Sequence, residues 1–369
     1  MNGPSHSLVQ VPPGVQCFVG DEARRRRLIE DRVTCVFEGW SYEEIIPPLF
    51  DYADVFAGQA LQSKTYSFVG RDGSLLALRP DFTSLLAKIA AGRLADRPTP
   101  IRLYYSGEVL RYEPPKAGRQ SELYQMGLEH LGSAPVDADA EVLAIAAECL
   151  AEAGVEGFVL TLGHVGVFGA LAALSGLEGP RLEALRERIE SKDGAGVRAL
   201  LSEVAAPVAE ALERLTVLAG DVSVLAEAEA CLALSPAVLA AIRELSAVVE
   251  ALSTAGLANR LAIDLGEVRG LEYYTGLVFR AYAPGLGFEV GSGGRYDTLL
   301  ARFGRPLPAV GFMLGLDRMA LLLDRQGQRP AAGAPPAETI LGRNPGERLQ
   351  RARESRLAGR RVRLEGERR

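Results

Sequence analysis

Residues 263 to 297, IDLGEVRGLEYYTGLVFRAYAPGLGFEVGSGGRYD, hold the side chains best suited to gripping a small molecule. Arg269 follows a strand-like run, Leu261 to Leu265, where a guanidinium can hold a carboxylate through two parallel hydrogen bonds. Tyr274 and Tyr296 add flat walls with polar tips. A second group lies on a strand-like run, Leu123 to Leu131. Alternation puts Gln125, Gly127 and Glu129 on one face and Tyr124, Met126, Leu128 and His130 on the other. A carboxylate and an amide either side of a glycine can receive an ammonium or imidazole donor, with the glycine leaving space; the same pair also reads as an exposed strand face. Asp81 and Thr83, in RPDFT, stand at a helix start, where they either cap it or bind an amine. Arg111 and Glu113 share a face, as a surface ion pair or, with Arg119, as a grip on an anion. Arg318, in GFMLGLDRM, falls near the first turn of a helix, facing solvent or reaching back toward a site.

These residues need particular elements to hold them. Ile29, Val33, Val36 and Phe37 at helical spacing behind Asp21 predict a helix over 21–38, with the arginine run Arg24 to Arg27 as a solvated face. Ser84 to Leu94 reads as a helix, and Arg102 to Tyr112 pairs with Leu123 to Leu131 as an antiparallel hairpin whose long basic tip, 114 to 120, is of the kind that closes over ligands. Val136 to Gly154 is helical, with acids in its first turns. The apolar window Gly157 to Leu177 has bilayer-spanning length, but its glycines favour a strand, Phe158 to Leu162, followed by a buried helix. Residues 178 to 258 read as a helical insertion. Strands are expected at 260–265, 274–282 and 286–292, and a strand, glycine turn and helix over Ala309 to Leu323. GSGGRYD lacks the features of a P-loop or dinucleotide fingerprint, so its glycines are read as a tight turn beside the pocket. A linker at 326–337 precedes a short β-α-β pattern or basic tail at 338–369.

With 369 residues, 48% apolar and 24% charged, the chain has the composition of an ordinary soluble globular protein. A formal charge of −6 argues against wholesale nucleic-acid coating. Four scattered cysteines without a CxxC pair, and three histidines, suggest neither a zinc cluster nor a disulfide framework, so no metal or cofactor is expected. The N-terminus shows no secretion signal, and the cytoplasm is the expected compartment. So few histidines assemble no catalytic triad.

Taken in order, EEIIPPLFD, LRPDFT, GEVLRYEPPKAGRQSELYQMGLEHLG, RGLEYYTGLVF, GSGGRYD and AVGFMLGLDRM resemble the class II catalytic core of histidyl-tRNA synthetases over residues 10 to 325. The resemblance implies an α+β fold, an antiparallel sheet flanked by helices, here with the helical insertion at 178–258, working as a dimer through the motif that contains Pro48. Carried over residue by residue, Asp81, Thr83 and Gln125 would hold the amino group of histidine, Glu129 and Tyr274 read the imidazole, and Arg269 meet the carboxylate, with Tyr296 lining the pocket. Arg111, Glu113, Arg119 and Arg318 match nucleotide contacts. The chain departs from the synthetases at three points: Asp81 replaces a glutamate, Ser121 an arginine, and Leu123 the phenylalanine that stacks on adenine, a loss of about 1 kcal/mol. It also lacks the anticodon-binding domain of about one hundred residues that follows the synthetase core.

This combination resembles the regulatory-subunit family of ATP phosphoribosyltransferase. The resemblance implies a non-catalytic chain that binds L-histidine as effector and partners the short-form catalytic subunit at the first step of histidine biosynthesis, with no membrane and no tRNA as partner. A truncated histidine-activating enzyme, and a scaffold with a fossil pocket, stand as alternatives.

Overall fold

The structure, a computed structural model, describes residues 11–57, 62–112, 120–268, 273–327, 337–342 and 344–365. Contacts partition the chain into two compact units, one of residues 1–17 with 26–328, the other of 18–25 with 329–369.

Helix α1 (Asp21–Gly39) opens on two acids, the charge a helix N-terminus favours, and buries the stripe Ile29, Val33, Val36 and Phe37. Short strands β1 (Glu43–Glu44), β2 (Phe50–Tyr52), β3 (Ser67–Val69) and β4 (Leu75–Leu78) lead to α2 (Thr83–Ala91). Next comes the long hairpin of β5 (Ile101–Leu110) and β6 (Glu122–Leu131). Helix α3 (Asp137–Ala153) ends on Gly154 at φ 90°, a left-handed C-cap that glycine adopts without strain. Strand β7 (Val159–His164) runs directly into α4 (Val165–Ser175), so the long apolar window is a strand plus a short helix. Among the described residues no helix is long and apolar enough to cross a membrane.

Helices α5 (Gly179–Glu190), α6 (Gly194–Leu200) and α7 (Ala206–Arg214), strand β8 (Ala219–Gly220), and helices α8 (Val224–Leu232) and α9 (Pro236–Thr254) come next. Strands β9 (Leu261–Asp264), β10 (Leu277–Tyr282), β11 (Gly291–Arg295) and β12 (Ala309–Gly315) precede α10 (Leu316–Arg325). In the second unit, β13 (Glu338–Leu341) and β14 (Val362–Glu365) pair in parallel, joined by α11 (Pro345–Leu357), which Asn344 caps.

Nine strands form one sheet in the order β1-β5-β6-β12-β11-β10-β7-β9-β8, with β2, β4 and β3 as a separate antiparallel sheet. From β5 through β7 every pairing is antiparallel; β1 on β5 and β9 on β7 are parallel. On one face Tyr104, Met126, Leu128, Val310, Phe312 and Leu314 join a single apolar cluster with α1, α3, α4 and the helices α5 to α9. The other face carries Leu103, Tyr105, Leu131 and Ala309, which pack with α2 residues and Tyr296.

Two expectations fail locally. Residues 286–290 are not strand, because Pro284, Gly285 and Gly287 interrupt pairing, and β11 begins only at Gly291. GSGGR is itself that strand rather than a turn: Gly291 to Gly294 pair with β10 on one side and β12 on the other.

Candidate functional site

The second sheet face, α2 and the residues just before β10 enclose a cavity of about 630 Å³, within the range typical of small-molecule sites, ~300–1,000 Å³. Period-2 alternation on β6 delivers Gln125 and Glu129 to it, and both are buried, so the exposed-face reading of these two residues is excluded. The space over Gly127 is not open to a ligand: the Tyr105 ring fills it, and its hydroxyl donates to the Phe312 carbonyl at 3.5 Å. The glycine that matters for Glu129 lies across the ladder at Gly311, its register partner on β12, where any Cβ would collide with the Glu129 carboxylate.

Glu129 is the centre of the inner cavity. Thr83 Oγ1 donates to its Oε1 at 2.7 Å and the Tyr296 hydroxyl donates to its Oε2 in a short hydrogen bond. Burial pushes its pKa up to about 8, with the Asp81 charge acting in the same direction and the two hydroxyl donors only partly opposing. The Tyr296, Tyr105 and Tyr273 hydroxyls are driven well above their usual range, by burial first and then by the Glu129 charge.

Asp81 performs the capping role of the two the sequence left open. Its Oδ1 accepts from the backbone N–H and the hydroxyl of Ser84, each at 2.8 Å, as a helix cap does. Its Oδ2 is buried without a hydrogen-bond partner among the described residues. Burial raises its pKa against the pull of the Ser84 bonds and the Arg111 charge. A buried carboxylate oxygen left unsatisfied costs free energy until a donor reaches it.

Aromatic rings wall this end. Tyr273 stacks on Tyr296 with centroids 5.2 Å apart, Tyr274 meets Tyr273 edge-on at 5.1 Å, and Phe82 stacks on Tyr105 at 4.1 Å. Tyr274 titrates at about 12, raised by burial and by Glu129 and Glu267 against the opposing Arg280. Arg111 and Arg318 line the outer end. Arg111 donates from Nε to the Pro80 carbonyl at 2.8 Å, and Arg318, far from being a solvent-facing helix residue, donates to Glu289.

Asp81, Thr83, Gln125, Glu129, Tyr274, Tyr296, Arg111 and Arg318 thus border one cavity. Arg269, Glu113 and Arg119, and residues 114–119 of the hairpin tip, lie outside the described residues. Sequence reasoning missed Tyr105, Tyr273 and Glu289. The Tyr273–Tyr274 doublet was a usable signal; nothing local marks Tyr105 or Glu289. It also read Arg26 as solvated, whereas its guanidinium pairs with Asp317 at 2.6 Å and sits over the Tyr124 ring.

Residues 14–319 match the family model described as Histidyl-tRNA synthetase. An ATP phosphoribosyltransferase regulatory subunit of Moorella thermoacetica is 40% identical over 370 residues, covering 98% of this chain and 94% of the relative. The crystal structure of an ATP phosphoribosyltransferase regulatory subunit/histidyl-tRNA synthetase from Bacillus halodurans C superposes with a TM-score of 0.88 at 29% identity, over 98% of this chain and 94% of that one. Histidyl-tRNA synthetase from Nostoc sp. PCC 7120 shares the fold, with a TM-score of 0.79 at 23% identity over 99% of this chain and 87% of that one.

Proposed function

Because this chain belongs to the ATP phosphoribosyltransferase regulatory subunit family, on the class II fold of histidyl-tRNA synthetases, we propose that it binds free L-histidine and conveys that binding to a short-form ATP phosphoribosyltransferase catalytic chain. The partner performs the chemistry, the first step of histidine biosynthesis, in the cytoplasm. This chain is required for that activity and confers feedback inhibition. Asp81, Thr83 and Gln125 take the amino group, Glu129 and Tyr274 the imidazole, and Arg269 the carboxylate, with Tyr296 against the ring. The core of residues 1–325, with its helical insertion at 178–258, carries the site and a self-dimer; the linker at 326–337 leads to a remnant at 338–369 that binds no tRNA.

The observation that carries the reading is the pair of buried carboxyls, Asp81 and Glu129, bordering one cavity, with Asp81 Oδ2 lacking a partner among the described residues. Such a site attracts N–H donors carrying positive charge, and histidine presents them at both ends. Regulation further requires that histidine bind one state of the complex better than another, since equal affinity for both shifts nothing.

Titration calorimetry with histidine tests the first part. Saturable binding is expected, with stability raised by about 2.7 kcal/mol at one hundred times the dissociation constant. Mixing with the short-form catalytic chain tests the second, with activity appearing only in the mixture and falling when histidine is added. Histidine-dependent pyrophosphate exchange by this chain alone would sink the reading in favour of a histidine-activating enzyme.

A further inference from the structure

Arg111, Arg302 and Arg318 also border the cavity, guanidinium groups of the kind that bind phosphate. Arg318 is already engaged. Its Nη1 donates to the backbone carbonyl of Glu289 at 2.8 Å and to the Glu289 Oε1 at 2.9 Å, and its guanidinium lies 5.5 Å from the centre of the Phe288 ring. Glu289 is held from its other side by Arg280, whose Nη1 stands 3.8 Å from the same Oε1. Arg280 in turn donates from Nε to Glu267 at 2.9 Å. Charges therefore alternate from Arg318 through Glu289 and Arg280 to Glu267, and the row as a whole is neutral.

Burial alone would raise the Glu289 carboxyl, but its own backbone N–H and the two arginines outweigh that and hold it below the ordinary carboxylate range. It is ionised at neutral pH. Both Arg318 and Glu289 are mostly shielded from water, at 28% and 22% side-chain exposure, so solvent screens their charges only in part. A polyphosphate entering the outer end finds Arg318 already neutralised, and reaches it only by displacing a carboxylate already hydrogen-bonded to it.

We propose that Glu289 sets the specificity of the outer cavity: by occupying Arg318 it turns away polyphosphate ligands such as nucleoside triphosphates, leaving the cavity to an amino acid. Rejection of this kind is built from repulsion against the wrong ligand as much as from attraction to the right one. The inference goes beyond the proposed function, and rests on it only in naming histidine as the inner ligand.

The test is an equilibrium titration of the full chain with inorganic tripolyphosphate and with ATP, comparing wild type, Glu289→Gln, Glu289→Ala, and Glu289→Gln combined with Arg318→Ala. Removing the carboxylate is expected to tighten tripolyphosphate binding about tenfold, the worth of one charge-assisted hydrogen bond regained. The gain is expected to vanish in the double variant. Affinities unchanged in both single variants, or a gain that survives loss of Arg318, would overturn the proposal. Histidine titrated on the wild-type chain separates the two readings: if it does not bind, the functional reading falls, while the polyphosphate comparison still decides the role of Glu289.

Discussion

At the scale of single residues, Glu129 concentrates the chemistry of the inner cavity. Its carboxyl titrates at 4.5 in the ordinary case and at about 8 in the fold. Between those values the folded state holds a proton that the unfolded chain has lost, so stability contributed by this group is complete below pH 4.5 and drains away as pH climbs through about 8. Denaturation measured across this window is expected to show a loss on the order of a few kcal/mol that is absent in Glu129→Gln. A ligand that brings an N–H donor or a positive charge to Glu129 favours its ionised form, so histidine binding near neutral pH should release a proton, and affinity should rise with pH up to about 8. Calorimetry in buffers of different ionisation enthalpy measures that release, and buffer-independent heats would remove Glu129 from the ligand's contacts. Gly311→Ala offers a steric counterpart. Its Cβ would meet the Glu129 carboxylate from across the ladder, with the Leu128 carbonyl closing the escape. The variant should lose histidine affinity at least as severely as Glu129→Gln, read in the same titration.

At the scale of elements, the sheet had to place Glu129 on β6, Gly311 on β12 and Tyr296 just past the end of β11, and this is where sequence reading was strong in one respect and weak in another. The alternation along β6 is a local signal, and it sorted Gln125 and Glu129 to the cavity and Tyr124, Met126 and Leu128 to the core, though not the space over Gly127. The strand Gly291–Arg295 gave no such signal, because glycines have no side chains to alternate; their fit against β10 and β12 becomes visible only once the neighbours are in place. Tyr105 over Gly127 and Glu289 against Arg318 were illegible for a related reason: each depends on register between segments distant in sequence. The same strand ends on Arg295, which is buried and reaches across to α3. It donates to Asp139 at 2.6 Å from Nη2 and 3.0 Å from Nε, while Nη1 donates to Asp297 and to the Ser133 carbonyl. Arg295→Met would strand the fully buried Asp139 and should destabilise the chain by about 3–5 kcal/mol in urea. Adding Asp139→Leu should recover much of that loss, since two apolar groups replace an ion pair at similar volume more cheaply than one charge tolerates solitude.

At the scale of the whole molecule, an apolar surface lies next to the segment that frames the cavity. Ile46, Leu49, Phe50, Tyr52, Phe68 and Val69 are exposed, and Phe50 and Phe68 touch edge to face at 5.8 Å across the small three-stranded sheet. Exposed apolar side chains grouped on a surface mark candidate interaction sites, and the self-dimer proposed above would seat a second copy of this chain on them. The patch is tied to the cavity through Arg79, which is buried. Its backbone N–H donates to the Leu49 carbonyl and its Nη1 to the Pro47 carbonyl, both at 2.9 Å, while its Nε donates to the Glu108 backbone carbonyl at 2.6 Å. Its guanidinium lies 4.2 Å from the centre of the Phe82 ring, and Phe82 stands between Asp81 and Thr83. A shift of the 46–50 segment would therefore reach, through Arg79, the loop that carries Asp81 and Thr83, the amino-group ligands proposed above. Ile46→Asp, at a residue 83% exposed and so harmless to an isolated fold, should drive the chain toward monomer in sedimentation equilibrium. If Arg79 couples the two surfaces, the same variant should also weaken histidine binding, although Ile46 does not line the cavity. A monomeric Ile46→Asp chain with unaltered histidine affinity would show that the patch assembles the protein without conditioning its pocket.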